Sequence, residues 1–181
     1  TSGTTTRTGG SMVSFRSFTY TGSSAIDLAL IGAFEFTTSG DGGPGDMFGD
    51  GGTNATLAIV PVSALSEFTS ASTPIDIITG NLPYSDCSSG ALAYTSYDSS
   101  AGISAGYHSE NLSLTETCSG APITLNAGDS FVIVAVVQAI SNRGGFIDAS
   151  HTFLVQYDLA NTVYTDTGQA VALDTLLSTV N

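Results

Sequence analysis

Apolar and polar residues alternate over short stretches of this chain, in the pattern of β-strands rather than helices. From Ala25 to Phe36, Ile26, Leu28 and Leu30 fall on one face and polar or small residues on the other, as in a half-buried antiparallel strand. From Phe131 to Ile140 nearly every residue is apolar and many are β-branched. This second pattern predicts a central strand that is buried on both faces.

Three features refine these strands. The apolar alternation from Met12 to Tyr20 changes phase, which predicts one bulged strand or two short ones. Pro61 lies in the strand predicted from Thr56 to Val62 and favours an edge or bulge position. Residues 122–125, the turn 126–129 and the strand that follows read as a hairpin. Weaker strand signals lie at 75–78, 91–97 and 112–114, and the strands 153–157 and 163–164 complete the set.

About eight to eleven short strands separated by Gly, Ser and Asn turns predict an all-β fold, an antiparallel β-sandwich with jelly-roll-like topology. The segment from Thr37 to Thr53 is too rich in glycine and aspartate to form a strand along its length, so we expect a long loop. Residues 1–11 predict a flexible or extended N-terminal arm. Residues 12–181 predict a single sandwich domain, a size that suits the 181-residue chain.

The charge balance excludes two classes of partner. The net charge is −13, and the basic residues are three arginines with no lysine. Nucleic acids and anionic membrane surfaces are bound by clusters of basic side chains, which this sequence lacks. The run from Phe131 to Ile140 is also far shorter than the ~20 apolar residues that span a bilayer. Because the sequence starts at Thr1, we expect the mature form of an exported protein.

The two cysteines, Cys87 and Cys118, are predicted to form a disulfide. Neither lies in a Cys-x-x-Cys or histidine-containing metal pattern, and the alternative is a pair of buried free thiols. A disulfide would place the protein in an oxidising compartment, which supports a secreted, extracellular or cell-surface location.

A calcium site is the best candidate for a ligand-binding site. Asp41, Asp46 and Asp50 lie in a glycine-rich loop whose backbone can turn carboxylate and carbonyl oxygens towards one cation. The spacing matches neither the EF-hand nor the calcium-binding nonapeptide repeat. A solvated cluster of Asp/Gly turns is the alternative, so calcium is the one candidate cofactor.

Catalytic patterns are present but incomplete. Gly102–Gly106 matches the G-x-S-x-G motif of serine hydrolases, with Asp148 and His151 downstream, but its flanks do not predict the strand–turn–helix that this motif requires. A glycosidase needs two facing carboxylates. The glutamates lie on separate segments with no paired spacing. We therefore expect a protein without enzymatic activity.

Asn54 and Asn111 each begin an Asn-x-Ser/Thr triplet and are candidate N-glycosylation sites. Such triplets also arise by chance in a chain this rich in serine and threonine.

The segment 122–157 (PITLNAGDSFVIVAVVQAISNRGGFIDASHTFLVQY) resembles part of bacterial secreted β-sandwich proteins of the exosortase-sorted, PEP-CTERM type. The resemblance lies in the Leu-x-Ala-Gly-Asp turn before an apolar strand and in the Gly-Gly-x-x-Asp-x-Ser-His-Thr segment before another. It covers about a fifth of the chain and implies an extracellular matrix or surface protein without known catalysis. The sorting tail of that family is absent from this sequence.

Two functions follow as hypotheses. The first is a secreted structural protein, a homopolymer subunit of an extracellular filament, tube or surface matrix, whose N-terminal strand adds to a neighbour. The second is a lectin-like, carbohydrate-binding module that binds extracellular polysaccharide with or without calcium. Stacking residues for a sugar would be Tyr84, Tyr94, Tyr97 and Tyr107.

Overall fold

The structure, a computed structural model, describes residues 7–39, 51–66, 86–98, 105–142, 146–148, 153–171 and 177–179. Short helical turns at Val62–Ala64 and Cys87–Ser89 interrupt what is otherwise a β-structure. The strands are β1 Arg7–Tyr20, β2 Ile26–Leu28, β3 Leu30–Ser39, β4 Gly51–Pro61, β5 Ala93–Asp98, β6 Gly106–Leu114, β7 Ile123–Leu125, β8 Ser130–Asn142, β9 Phe146–Asp148, β10 Phe153–Tyr157, β11 Val163–Tyr164 and β12 Leu177–Thr179.

The described strands form three antiparallel sheets. Sheet A has the order β12-β1-β8-β4-β5, sheet B the order β11-β2-β7, and sheet C the order β10-β3-β6 with β9 also paired to β3. One hydrophobic core takes buried side chains from all three sheets, so sheets B and C together cover one face of sheet A. The all-β, sandwich-like prediction is confirmed, whereas jelly-roll topology stays a prediction.

Strand β8 is buried on both faces, as its sequence predicts. Phe131, Ile133 and Val137 belong to the core between the sheets. Val132 and Val134 belong to a second buried cluster on the opposite face of sheet A, with side chains of β4 and of the turn that follows it. A continuous apolar strand is the expected sequence for a strand in this position.

The change of phase in β1 is not a bulge. Its register with β8 is continuous from Arg7 opposite Asn142 to Thr19 opposite Ser130. The apolar residues change phase because β1 changes the face that it buries: Val13 packs on the second cluster, whereas Phe18 packs on the core between the sheets. The prediction of a bulged or divided strand was therefore wrong.

The strand pairing tests two further expectations. Pro61 is the last residue of β4 and pairs with Phe131 of β8, whereas the pairing of β4 with β5 ends at Ile59. The proline therefore lies at a local edge of β4, as predicted, just before a helical turn. The predicted turn exists, with Gly128 in the left-handed region at φ 88°. It does not close a hairpin, because β7 pairs with β2 in sheet B whereas β8 lies in sheet A.

The predicted N-terminal arm is partly ordered in sheet A. Strand β1 begins at Arg7, so residues 7–11 are extended and pair with β8. Residues 1–6 lie outside the described part of the chain.

Candidate functional site

The predicted disulfide is confirmed and lies at one margin of the sandwich. Cys87, just before β5, and Cys118, after β6, are joined with an S–S distance of 2.10 Å and a Cα–Cα distance of 5.4 Å. The Cys118 N–H also donates to the Leu92 carbonyl at 2.9 Å. Asp86 caps the turn that holds Cys87 by accepting the Ser89 N–H at 2.7 Å. These bonds fasten the end of sheet A to the end of sheet C.

An aromatic contact continues this closure along the same margin. Tyr97 of β5 lies 5.3 Å, centroid to centroid, from Phe34 and 6.1 Å from Phe36, both on β3. Burial raises the pKa of Tyr97, and the Glu110 carboxylate of β6, which accepts a hydrogen bond from the phenol, raises it further. We call the margin formed by β5 and β6 the closed side.

The opposite margin is formed by β1 and β10 and is called here the open side. Among the described residues, β12 is the only strand that pairs with the outer edge of β1, and it does so only at Phe18–Tyr20. Strand β10 is the last strand of sheet C as far as the described residues extend, and its one partner there is β3.

A cleft of about 370 Å³ opens between these two strands. Its lining is mainly apolar, and Met12 on its β1 rim is 49% exposed. An exposed apolar surface beside an unpaired sheet edge is a candidate docking site for another chain. The main lining residues are Met12, Phe18, Leu30, Ile133, Phe153, Val155 and Tyr157.

Two polar groups lie among these apolar side chains. The Arg16 guanidinium lies 5.9 Å from the centroid of the Phe18 ring, within cation–π distance. Burial raises the pKa of Tyr157 to about 12, and the positive charge of Arg16 opposes part of that rise. The cleft thus combines an apolar floor with one cation and one neutral phenol.

The outer edge of β1 presents backbone hydrogen-bonding groups at alternate residues. The Tyr20 N–H donates to the Asp129 carbonyl at 2.8 Å, and the Tyr20 carbonyl accepts from Gly128 at 2.9 Å. In a continuous antiparallel register the backbone groups of every second residue bond to the same neighbouring strand. The N–H and C=O groups of Met12 therefore also point to β8. The N–H and C=O groups of Ser11 and Val13 therefore point to the outer edge.

Charge is distributed unevenly between this strand and the rest of the chain. The first acidic residue is Asp27, so the sequence through β1 contains Arg7 and Arg16 and no acid. All sixteen acidic residues lie beyond it, with Arg143 as the remaining base. The open side is thus the basic part of a strongly acidic protein.

The predicted ligand and modification sites have different outcomes. Asp41, Asp46 and Asp50 lie outside the described residues, so calcium binding stays a prediction. Asn111 is exposed on β6, on the outer face of sheet C. Asn54 is half-buried on β4, and its side-chain oxygen is buried with no hydrogen-bond partner among the described residues.

The four candidate sugar-stacking tyrosines do not form one surface. Tyr84 lies outside the described residues, Tyr94 packs on the second buried cluster and Tyr97 lies between the sheets. Tyr107 is the exposed one, at 60%, and it donates a hydrogen bond to Glu35 on the outer face of sheet C. That hydrogen bond raises the pKa of the Tyr107 phenol.

The residues weighed for catalysis are dispersed or undescribed. Ser104 and His151 of the hydrolase-like pattern lie outside the described residues. Glu35 is on the exposed face of sheet C and Glu110 at the closed side. Within the described ranges, no three His, Cys, Asp or Glu side chains are grouped so that they could hold a metal ion.

Comparisons with known proteins give no relative. No family model matches the chain, and no significant match was found among curated proteins or solved structures. In the described part of the chain no helix is both long and apolar enough to cross a membrane. The likeness of residues 122–157 to PEP-CTERM-type proteins stays a prediction.

Sequence reasoning did not find the cleft. Its two walls come from β1 and β10, which are far apart in sequence, and no local pattern links them. The absence of acids before Asp27 is the one signal in the sequence that could have singled out β1.

Proposed function

We propose that this protein is a secreted structural subunit that assembles with copies of itself into an extracellular filament, tube or surface matrix. The observation that carries the proposal is the apolar cleft beside the outer edge of β1. Edge strands of soluble proteins are commonly protected by lysine, proline, acidic residues or a bulge. Strand β1 has none of these over Thr8–Phe15 and has a continuous register.

Strand addition at this edge would satisfy the backbone groups that point outward and cover the exposed apolar rim. A strand paired with β1 would bond to Ser11 and Val13 and lie over Met12. The N-terminal strand addition predicted from sequence has only residues 1–6 left as a donor, because residues 7–20 pair within their own chain. In our proposal β1 is the acceptor.

The confirmed disulfide supports the proposed secretion. Structural disulfides form and persist in oxidising compartments and are rare in the reducing cytosol.

The test is to remove one outward N–H. Ser11→Pro deletes a donor on the outer edge of β1 while leaving the bonds to β8, so the monomer is expected to fold with a stability change under about 1 kcal/mol. Ser11→Ala is the matched control, because it keeps the N–H. Light scattering and negative-stain microscopy should show large assemblies for the wild type and Ser11→Ala, and monomers for Ser11→Pro. A wild-type protein that stays monomeric at high concentration would rule the proposal out.

A second candidate function, polysaccharide binding, rests on Tyr107 and Glu35. An exposed ring beside a carboxylate on a flat sheet face can stack on a sugar and accept hydrogen bonds from its hydroxyls. Polysaccharide pull-down should then be lost in Tyr107→Ala and retained in Tyr107→Phe. Binding that is unchanged in Tyr107→Ala would remove this candidate.

A further inference from the structure

We infer that assembly is head-to-tail: the closed side of one copy packs on the open side of the next, with β5 beside β1 and β6 beside β10. The inference rests on the proposed function and identifies the partner as a second copy of this chain. In the described residues, β1 and β5 lie towards opposite ends of sheet A, and β10 and β6 are the end strands of sheet C. Both sheets can therefore continue from copy to copy in the same direction.

The shapes of the two sides are complementary in this arrangement. On the outer side of the cleft between β1 and β10, the described residues contribute no strand beyond β12, which pairs only with Phe18–Tyr20 of β1. At the closed side the two sheets are joined. Tyr97 connects β5 to the aromatic residues of β3, and the disulfide fastens the strand ends. The closed side of a neighbouring copy would cover the cleft and bury Met12.

The charges of the two sides are also complementary. The open side has Arg16 in the cleft, and the chain up to and including β1 contains no acid. The closed side has Asp98 on β5 and Glu110 on β6, and neither strand contains lysine or arginine. Opposite charges across an interface favour the correct encounter, and two open sides facing each other would bring arginines together.

Symmetry separates this arrangement from the main alternative. Two copies joined through their β1 edges would form a closed, two-fold dimer with no further growth. A head-to-tail contact leaves one unused open side and one unused closed side at the two ends of every assembly. Growth can then continue, as a filament, tube or matrix requires.

The test uses two variants, each blocked on a different side. Ser11→Pro blocks the open side. Ser96→Pro blocks the closed side, because the alternating register of β1, β8, β4 and β5 directs the Ser96 N–H to the outer edge of β5, and proline removes that donor. Each variant alone should be monomeric. An equimolar mixture should form a dimer of twice the 18.3 kDa chain mass, because one intact open side meets one intact closed side. Raising the salt from low to high should weaken that dimer about fivefold to tenfold.

Every other outcome counts against head-to-tail packing. Dimers of Ser96→Pro alone would support two-fold β1–β1 pairing, and undiminished assemblies of Ser96→Pro would exclude the closed side as the partner surface. Two monomeric variants that do not combine would also overturn it. If the wild type itself does not assemble, the proposed function fails first. Circular dichroism checks the fold of each variant, and Arg16→Glu, which leaves the β1 backbone unchanged, replaces Ser11→Pro if the proline variant unfolds.

Discussion

The two sides of the sandwich are built from the same two sheets but end differently. At the closed side the ends of β5 and β6 are held by the Cys87–Cys118 disulfide, and Tyr97 fills the space between the sheets. At the open side β1 and β10 leave a cleft lined by apolar side chains. The molecule therefore has two different sides, one held by a covalent bond and an aromatic contact and the other containing an apolar cleft.

The comparison explains why one side is suited to association. Closing a sandwich edge satisfies backbone groups and buries apolar surface inside the molecule, whereas an open edge leaves both for a partner. Met12 is partly exposed, and no strand among the described residues pairs with the outward groups of Ser11 and Val13. Substitutions on the closed side and on the open side should therefore have different effects.

Removal of the disulfide should have the largest effect on stability. Replacing both Cys87 and Cys118 with serine releases a loop of 31 residues, and the chain-entropy estimate of the loss is about 3 to 4 kcal/mol. For a chain of this length the midpoint of thermal unfolding should fall by roughly 10 °C. Differential scanning calorimetry checks this against wild type with and without reductant. An unchanged midpoint would mean that the closed side is held by packing alone.

Loss of the aromatic contact should come second. Tyr97→Ala removes the ring between the sheets and should lower the free energy of unfolding by about 2 kcal/mol. Tyr97→Phe keeps the ring and loses only the bond to Glu110, at a cost of about 1 kcal/mol. Tyr107→Ala, on an exposed face, is the control and should stay within about 0.5 kcal/mol. Urea titration measures all three, and equal losses in Tyr97→Ala and Tyr107→Ala would contradict this role of Tyr97.

The closed side could be anticipated from sequence better than the open side. The disulfide was predicted because two cysteines outside any metal pattern leave few alternatives, and β8 was predicted because burial on both faces requires an apolar run. The hairpin prediction was wrong because a tight turn specifies a change of direction and not the sheet that each strand joins. The phase change in β1 was misread because packing on a second face produces the same pattern as a bulge.

The cleft illustrates what local patterns do not contain. Phe153, Val155 and Tyr157 alternate as in any half-buried strand, and nothing in that alternation states whether another strand covers them. The exposure of these side chains depends on how β1 and β10 are placed relative to each other, which is a property of the tertiary structure. The charge difference between β1 and the rest of the chain was present in the sequence, but only the strand order shows that it separates two sides of one molecule.

A smaller effect is expected from Arg16→Gln at the open side. The substitution removes the cation near the Phe18 ring and should lower the free energy of unfolding of the monomer by about 0.5 kcal/mol. Because the charge of Arg16 opposes the rise in the pKa of Tyr157, that pKa should rise further. Ultraviolet titration of phenolate, with Arg16→Lys as the charge-retaining control, would show the difference. An unchanged titration would mean that the charge of Arg16 does not affect the pKa of Tyr157.

The ionisation of Tyr157 should have the smallest effect on stability at neutral pH. It also reports most directly on the cleft. Its pKa is raised to about 12 in the folded protein, whereas an unfolded tyrosine titrates near 10. Between these values the unfolded chain loses its proton first, so the free energy of unfolding should be undiminished below pH 10 and fall as the pH rises towards 12. Tyr157→Phe should reduce that fall without changing stability at pH 7. The remaining pH dependence belongs in part to Tyr20 and Tyr97, whose pKa values are also raised by burial.

If a neighbouring copy covers the cleft, assembly should bury Tyr157 more deeply, and its phenolate should form at a higher pH in assemblies than in monomeric Ser11→Pro. Equal titration of Tyr157 in the two states would mean that the copies meet elsewhere and that the open side stays exposed to solvent.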